Sequence, residues 1–211
     1  MQVAQFTFNS FQENTYVLYD NSLECAIVDP GCNSDEERKT LVDFIEEKGL
    51  KPTKLINTHC HIDHVLGNKF ISEKYSLTLE AHEGEVQVLD TCDTVSRMYG
   101  IPYEASPPIG LFIKEDIEYK FGESILKTIF TPGHSPASLS FYCVAAKVLI
   151  AGDALFQGSI GRTDLPGGDY DTLIKNIKEK LLVLPEDVVV YSGHGPSTTI
   201  GNEKMSNPFL T

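Results

Sequence analysis

Leu55-Ile56-Asn57-Thr58-His59-Cys60-His61-Ile62-Asp63-His64-Val65 is the stretch on which the reading of this chain turns. Pro52 to Thr58 is apolar and β-branched enough for a buried strand, and Val65 to Tyr75 reads as a helix. Between the two lie four metal-ligand side chains within six residues, on the loop leaving the C-terminal end of the strand. Alternation along an extended segment places His59, His61 and Asp63 on one side, and the turn into the helix swings His64 to a neighbouring position. One short loop can thus feed two adjacent metal ions. Cys60 lies between two of these residues but points away from them, which suits a packing role.

The same strand-then-turn grammar recurs downstream. Ile125 to Phe130 precedes Thr131-Pro132-Gly133-His134, Lys147 to Ile150 precedes Ala151-Gly152-Asp153, and Val188 to Tyr191 precedes Ser192-Gly193-His194-Gly195. Each His or Asp falls just past a strand and beside glycine, which permits a positive φ or a close approach of the backbone. A lone histidine is better read as structural, but repeated placement of this kind is improbable as coincidence. Five His and two Asp suit a pair of divalent ions, zinc first and iron or manganese as alternatives, with no thiolate needed. Motif order gives His59, His61 and His134 to one ion and Asp63, His64 and His194 to the other, with Asp153 bridging. His82, in Glu80-Ala81-His82-Glu83-Gly84, begins a predicted helix without a partner motif and reads as structural.

Taken together, these residues resemble the metallo-β-lactamase superfamily, whose His-x-His-x-Asp-His signature stands at residues 59 to 64. Within it the chain is most similar to the short single-domain bacterial glyoxalase II-like (hydroxyacylglutathione hydrolase-like) proteins. The supporting segments include Gln12-Glu13-Asn14-Thr15-Tyr16, Asp29-Pro30-Gly31, Gly152-Asp153-Ala154-Leu155-Phe156, Gly158 to Asp164, and Gly193-His194-Gly195-Pro196 to Asn207-Pro208-Phe209-Leu210. The resemblance implies an α/β fold, a four-layer αββα sandwich with the metals at one edge between the sheets. Read independently, strands dominate residues 2–28, and a helix opens at the Ser34-x-x-Glu37 capping box and ends at Gly49. Larger glyoxalase II enzymes carry a C-terminal helical domain that helps bind glutathione, whereas this chain runs seventeen residues past His194. Residues 1–211 are therefore expected to form one hydrolase domain without that addition, and the thiol stays open. Gly161-Arg162-Thr163-Asp164 also resembles a segment of persulfide dioxygenases, which use a single iron.

Composition narrows the partners. Seventeen Lys and Arg against 30 Asp and Glu give a net charge of −13, which argues against nucleic acid or an anionic membrane surface. Two bound divalent ions would reverse the sign locally, leaving the site near +1 once its two carboxylates and a hydroxide are counted, so a small anionic substrate suits it. The N-terminus has no basic region or apolar run, no stretch is apolar over a membrane's length, and the five cysteines lack framework spacing. The expectation is a cytoplasmic protein with reduced thiols. Composition leaves the oligomeric state open.

Water held by such ions is acidified from a pKa of about 15.7 to about 7, so it can attack a carbonyl carbon at neutral pH. Asp63 can orient that nucleophile or take its proton. A thiol of pKa about 8.5 departs as thiolate without a dedicated acid, whereas a lactam nitrogen requires a proton donor that the motifs do not supply. Arg162 is the candidate for gripping a substrate carboxylate, the alternative being an ion pair with Asp164 or Asp169. Met98 to Pro108 reads as an aromatic lid or as a plain connector. The leading expectation is a binuclear hydrolase of acyl-thiol esters with Asp63 and Asp153 as catalytic carboxylates. The competing one is a mononuclear iron persulfide dioxygenase using His59, His134 and Asp153. A silent metal-binding module is disfavoured because no ligand position is missing. The diiron redox branch, which typically has Glu where His61 stands, is disfavoured too.

Overall fold

The computed structural model describes residues 1–211. One six-stranded sheet runs in chain order: β1 (Gln2–Phe8), β2 (Glu13–Tyr19), β3 (Glu24–Val28), β4 (Lys51–Ile56), β5 (Leu79–Ala81) and β6 (Ile109–Phe112). The first three strands are antiparallel neighbours joined by short turns, while β3 to β6 are parallel. Parallel neighbours need crossovers, and helices supply them. These are α1 (Asp35–Glu47), α2 (Ile62–Val65), α3 (Asn68–Tyr75) and α4 (Val86–Tyr99).

The second sheet uses β7 (Glu118–Phe121), β8 (Ser124–Phe130), β9 (Leu139–Cys143) and β10 (Val148–Gly152). A small separate hairpin follows, β11 (Leu155–Phe156) with β12 (Ser159–Ile160). Next comes α5 (Tyr170–Asn176), continued by a π-helical turn over Ile177–Leu181. The chain then returns through β13 (Val189–Ser192) and β14 (Thr198–Thr199) to α6 (Ile200–Ser206). The spatial order is β14-β13-β10-β9-β8-β7.

Strand periodicity sorts the apolar residues into three cores, and the three cores define four layers. Val17, Ile27 and Leu55 face the first helical layer, where Leu41, Ile45, Ile71 and Leu89 pack on them. Their chain neighbours Tyr16, Leu18, Ala26, Val28 and Ile56 face inward, meeting Leu126, Leu139, Phe141 and Ile150 of the second sheet. The outer face of that sheet, through Leu149, Ala151 and Val190, is covered by Leu173, Ile177, Leu181 and Ile200. The fold is therefore the αββα sandwich. No helix is long and apolar enough to cross a membrane.

Helix α1 begins as its sequence dictates: Ser34 Oγ accepts from Glu37 N at 3.2 Å, and Glu37 Oε2 accepts from Ser34 N at 2.9 Å. The expected helix over Val65 to Tyr75 is instead split into α2 and α3. The break lies at Gly67, whose N–H donates to Pro30 O at 2.7 Å, so a tertiary bond takes over the end of the short helix. Helix formation also starts earlier than periodicity implies, at Ile62. Asp63 accordingly sits in a helical turn and is not the third member of an extended row.

Candidate metal centre

All seven sequence-predicted donors converge at one edge between the sheets. His59 and His61 follow β4, Asp63 and His64 lie in α2, His134 follows β8, Asp153 follows β10 and His194 follows β13. Their donor atoms form two sets, His59, His61 and His134, and Asp63, His64 and His194, each with all atoms within 4.8 Å of one another. Asp153 lies between them. Its Oδ2 is 3.4 Å from His134 Nε2 and 3.5 Å from His194 Nε2, and its Oδ1 is 3.5 Å from His64 Nε2. Asp63 Oδ2 is 3.1 Å from His194 Nε2, and His61 Nδ1 is 2.9 Å from His134 Nε2.

The rings are aimed by partners on their far sides. His59 Nδ1 meets Thr58 Oγ at 3.1 Å, and Thr58 Oγ already donates to Asp29 Oδ2 at 2.6 Å, so His59 Nδ1 carries the proton. His64 Nδ1 lies 3.2 Å from Asp29 Oδ2. His134 Nδ1 donates to the Arg162 carbonyl at 2.8 Å, and His194 Nδ1 to the Phe11 carbonyl at 3.1 Å. In each of these four histidines the far-side contact is at Nδ1, so Nε2 is the atom directed at the shared space, as a metal ligand needs. A further set of Asp29, His59 and His64 is close enough to hold an ion by distance alone. Asp29 is committed to Thr58 N, Thr58 Oγ and the His64 ring, so it acts as an orienter.

The strongest sign that these residues fit a cation is what they lack. His59 Nε2, His64 Nε2 and Asp153 Oδ1 are buried without a hydrogen-bond partner. Orphaned buried polar atoms are destabilising and rare, and these three belong to the two donor sets and to the carboxylate between them, which suits cations as their partners. Backbone shape supports the crowding: a Cβ at Gly193 would collide with the Asp153 carboxylate, and Gly133 and Gly152 adopt positive φ. Electrostatics agree. Burial pushes the Asp153 carboxyl up, but the imidazoles of His64, His134 and His59 outweigh it and hold the group well below the carboxylate range. Burial and the neighbouring His64 and His61 keep His59 neutral, and burial with His134 pushes His61 down to about 3. Burial opposes charge on His64 too, yet Asp153 and Asp63 draw a proton onto it, an attraction that a divalent ion would meet more strongly.

The remaining candidates lie elsewhere. The Cys60 side chain packs into the first core, and burial together with Glu85 pushes its thiol well up, so it is inert. His82 stands outside both donor sets, 3.3 Å from Glu115 Oε2 and tilted over Phe130. Arg162 places its guanidinium on Asp164 through two 2.7 Å bonds, with the side chain 58% exposed. Its backbone carbonyl is the atom that touches a donor residue, His134. Of the Met98 to Pro108 stretch, Ile101 and Tyr103 pack on the first core as a connector. Tyr99 stands edge-on to Phe11, the residue whose carbonyl aims His194. Asp29 was not singled out from sequence as an orienter, although it follows a strand, the signal shared by other site residues.

This edge-sited double cluster agrees with the relatives. The metallo-β-lactamase superfamily pattern matches residues 9–194. The probable metallo-hydrolase YqgX of Bacillus subtilis is 42% identical over 212 residues, covering 100% of this chain and 98% of its own. The hydroxyacylglutathione hydrolase GloC of Haemophilus influenzae is 36% identical with the same coverage. Among solved structures, the B3 metallo-β-lactamase BLEG-1 superposes with a TM-score of 0.91 at 37% identity, covering all of both chains. The di-iron form of TTHA1623 superposes at 0.89 and 33%, covering 99% of this chain and 100% of that one. Superfamily signature, sandwich and converged donors point the same way: this chain belongs to the metallo-β-lactamase superfamily, metal-dependent hydrolases by descent.

Proposed function

We propose that the chain is a binuclear hydrolase of acyl-thiol esters, cleaving an S-2-hydroxyacylglutathione or the ester of an analogous thiol to a 2-hydroxy acid and free thiol. The observation that carries this reading is the pair of three-donor sets with Asp153 between them. The end-to-end likeness to GloC supports the substrate class. Two divalent ions, zinc being the first choice for this donor set, would supply Lewis-acid polarisation and water acidified to near neutral pH.

The chain's own residues divide the remaining work. Asp153, buried at the centre, holds the two histidine sets in one frame. Asp63 is the less buried of the two carboxylates, so it is placed to orient water and take up its proton. The Arg162 fork can exchange Asp164 for a substrate carboxylate, since both side chains are exposed and water screens their attraction. Five buried free thiols suit a reducing cytoplasm.

A second reading, iron-dependent persulfide oxidation, rests on the His59, His134 and Asp153 subset, where His134 Nε2 and Asp153 Oδ2 lie 3.4 Å apart. Metal analysis and activity assays on one sample separate the two. Two ions per chain, oxygen-independent cleavage of an S-2-hydroxyacyl thiol ester and reversible loss on chelation are expected. One iron per chain with oxygen uptake on a persulfide and no thioester cleavage would establish the oxidation. Because BLEG-1 is a lactamase, a β-lactam belongs in the same assay. Faster turnover of the lactam than of any thioester would overturn the proposal.

A further inference from the structure

The turn between β5 and α4 ends on a carboxylate that its own helix does not use. His82 Nδ1 accepts from Gly84 N at 3.1 Å, shaping the 3-10 turn Glu83–Glu85, and Glu85 then makes no side-chain cap bond to α4. Its fully buried carboxylate reaches across to two other loops. Oε2 accepts from Cys60 N at 2.9 Å, Oε1 accepts from Ala137 N at 2.8 Å, and the Ser135 hydroxyl is shared between the two oxygens at 2.7 and 2.8 Å.

The identity of these donors matters. Cys60 is the residue between His59 and His61, and Ser135 follows His134. The carbonyl of Cys60 is held from the same helix, accepting from Cys92 Sγ at 3.3 Å, seven residues beyond Glu85 and on the same helical face. Gly84 lets the third loop close on the turn, since a Cβ there would stand 2.6 Å from that of Ala137. A buried carboxylate is tolerated only with its hydrogen bonds in place. All three donors here come from the loops bearing His59, His61 and His134, and none from the loops of Asp153 or His194.

We infer that Glu85 is the positioning residue of the three-imidazole set, the strut that fixes the spacing between the His59–His61 loop and the His134 loop. This rests on the metal reading of those histidines. Glu85→Gln keeps the volume but turns an NH2 group toward the N–H of Cys60 or Ala137, so it breaks the strut without opening a cavity.

Zinc titration against a chromophoric chelator tests the assignment. Wild type is expected to bind two ions, and Glu85→Gln to hold one of them about ten- to a hundredfold more weakly while the other is unchanged. In a His194→Ala background, which leaves the three-imidazole set complete, Glu85→Gln should weaken the remaining ion by the same factor. Ser135→Ala, a milder change removing only the shared hydroxyl, should weaken the same ion by less. Glu80→Gln is the control, because that buried carboxylate accepts from Tyr119 Oη at 2.7 Å and Lys54 Nζ at 3.0 Å, neither of them in a donor loop. It should lower the melting temperature and leave both affinities intact. Equal weakening of both ions by Glu85→Gln, or the one-ion loss reproduced by Glu80→Gln, would overturn the inference. Two ions held as tightly in Glu85→Gln as in wild type would overturn it alone. A wild type that binds no ion, with His59→Ala indistinguishable from it, would overturn the metal reading and this inference with it.

Discussion

The two ends of the sandwich treat buried carboxylates in opposite ways. At the end away from the donors, Asp20 follows β2 and is satisfied by the protein alone. It accepts from Ser22 N, Ser22 Oγ, Glu123 N and Ser124 Oγ at 2.5 to 3.0 Å, stitching a turn of the first sheet to one of the second. At the other end Asp153 Oδ1, His59 Nε2 and His64 Nε2 are equally buried and have no partner. The first end is a finished seam that stabilises the fold. The second gathers lone pairs that no protein donor meets, which suits a cation and distinguishes a binding site from a structural contact.

Asp153→Asn probes the donor end and carries the largest expected effect. A neutral amide oxygen is a weaker donor to cations than a carboxylate, so metal content and hydrolysis should fall together, by about a hundredfold or more in affinity. Saturating zinc should raise the melting temperature of wild type, since a ligand at about 100 times its Kd adds about 2.7 kcal/mol, and should leave that of Asp153→Asn nearly unmoved. Full metal content with normal turnover in the variant would remove Asp153 from the site.

Asp20→Asn probes the finished end, where loss of a satisfied acceptor should cost about 1–3 kcal/mol. Burial pushes the Asp20 carboxyl up, but the hydrogen bonds from Ser124, Ser22 and Glu123 outweigh it and lower it from 3.8 to about 2. A depressed carboxylate stabilises the fold above its unfolded pKa, and the contribution is lost as pH falls through the folded value. Urea midpoints of metal-free wild type and variant should therefore differ at pH 6 and approach each other between pH 3.8 and about 2. A gap constant over that window would mean that the seam does not depend on the Asp20 charge.

Arg162→Ala is expected to be milder. KM for an anionic thioester should rise about tenfold, with less change for a neutral one, because binding charge is lost while the carbonyl that aims His134 remains. Equal effects on both substrates would confine the side chain to its pair with Asp164. The smallest effect belongs to His82→Ala, which removes one turn bond and touches no donor set. Both ions should stay bound, and loss of one equivalent would show that the turn depends on its cap more than its geometry implies.

Much of this was legible in the sequence because ligand chemistry is a property of side-chain type. The seven residues placed after strand ends by motif all meet in one space, and the partition into two sets is the one their order implied. The capping box of α1 was readable for a related reason: Ser34 and Glu37 bond within three residues of each other. The Val65 to Tyr75 helix was misread because its interruption depends on the Pro30 carbonyl, which no local period reports.

What aims the site was decided by tertiary structure alone. The Arg162 and Phe11 carbonyls that orient His134 and His194 are backbone groups, identical in every residue and so without a signature, and the second bond spans 183 positions. Glu85 reaches donors 25, 50 and 52 residues away, and Asp29 reaches Thr58 across 29. The sequence by itself named the atoms that can bind a cation, since that chemistry is carried residue by residue. Only the packed sandwich determined which of their lone pairs face one another, because ring orientation is set by distant partners that meet once both sheets are in place.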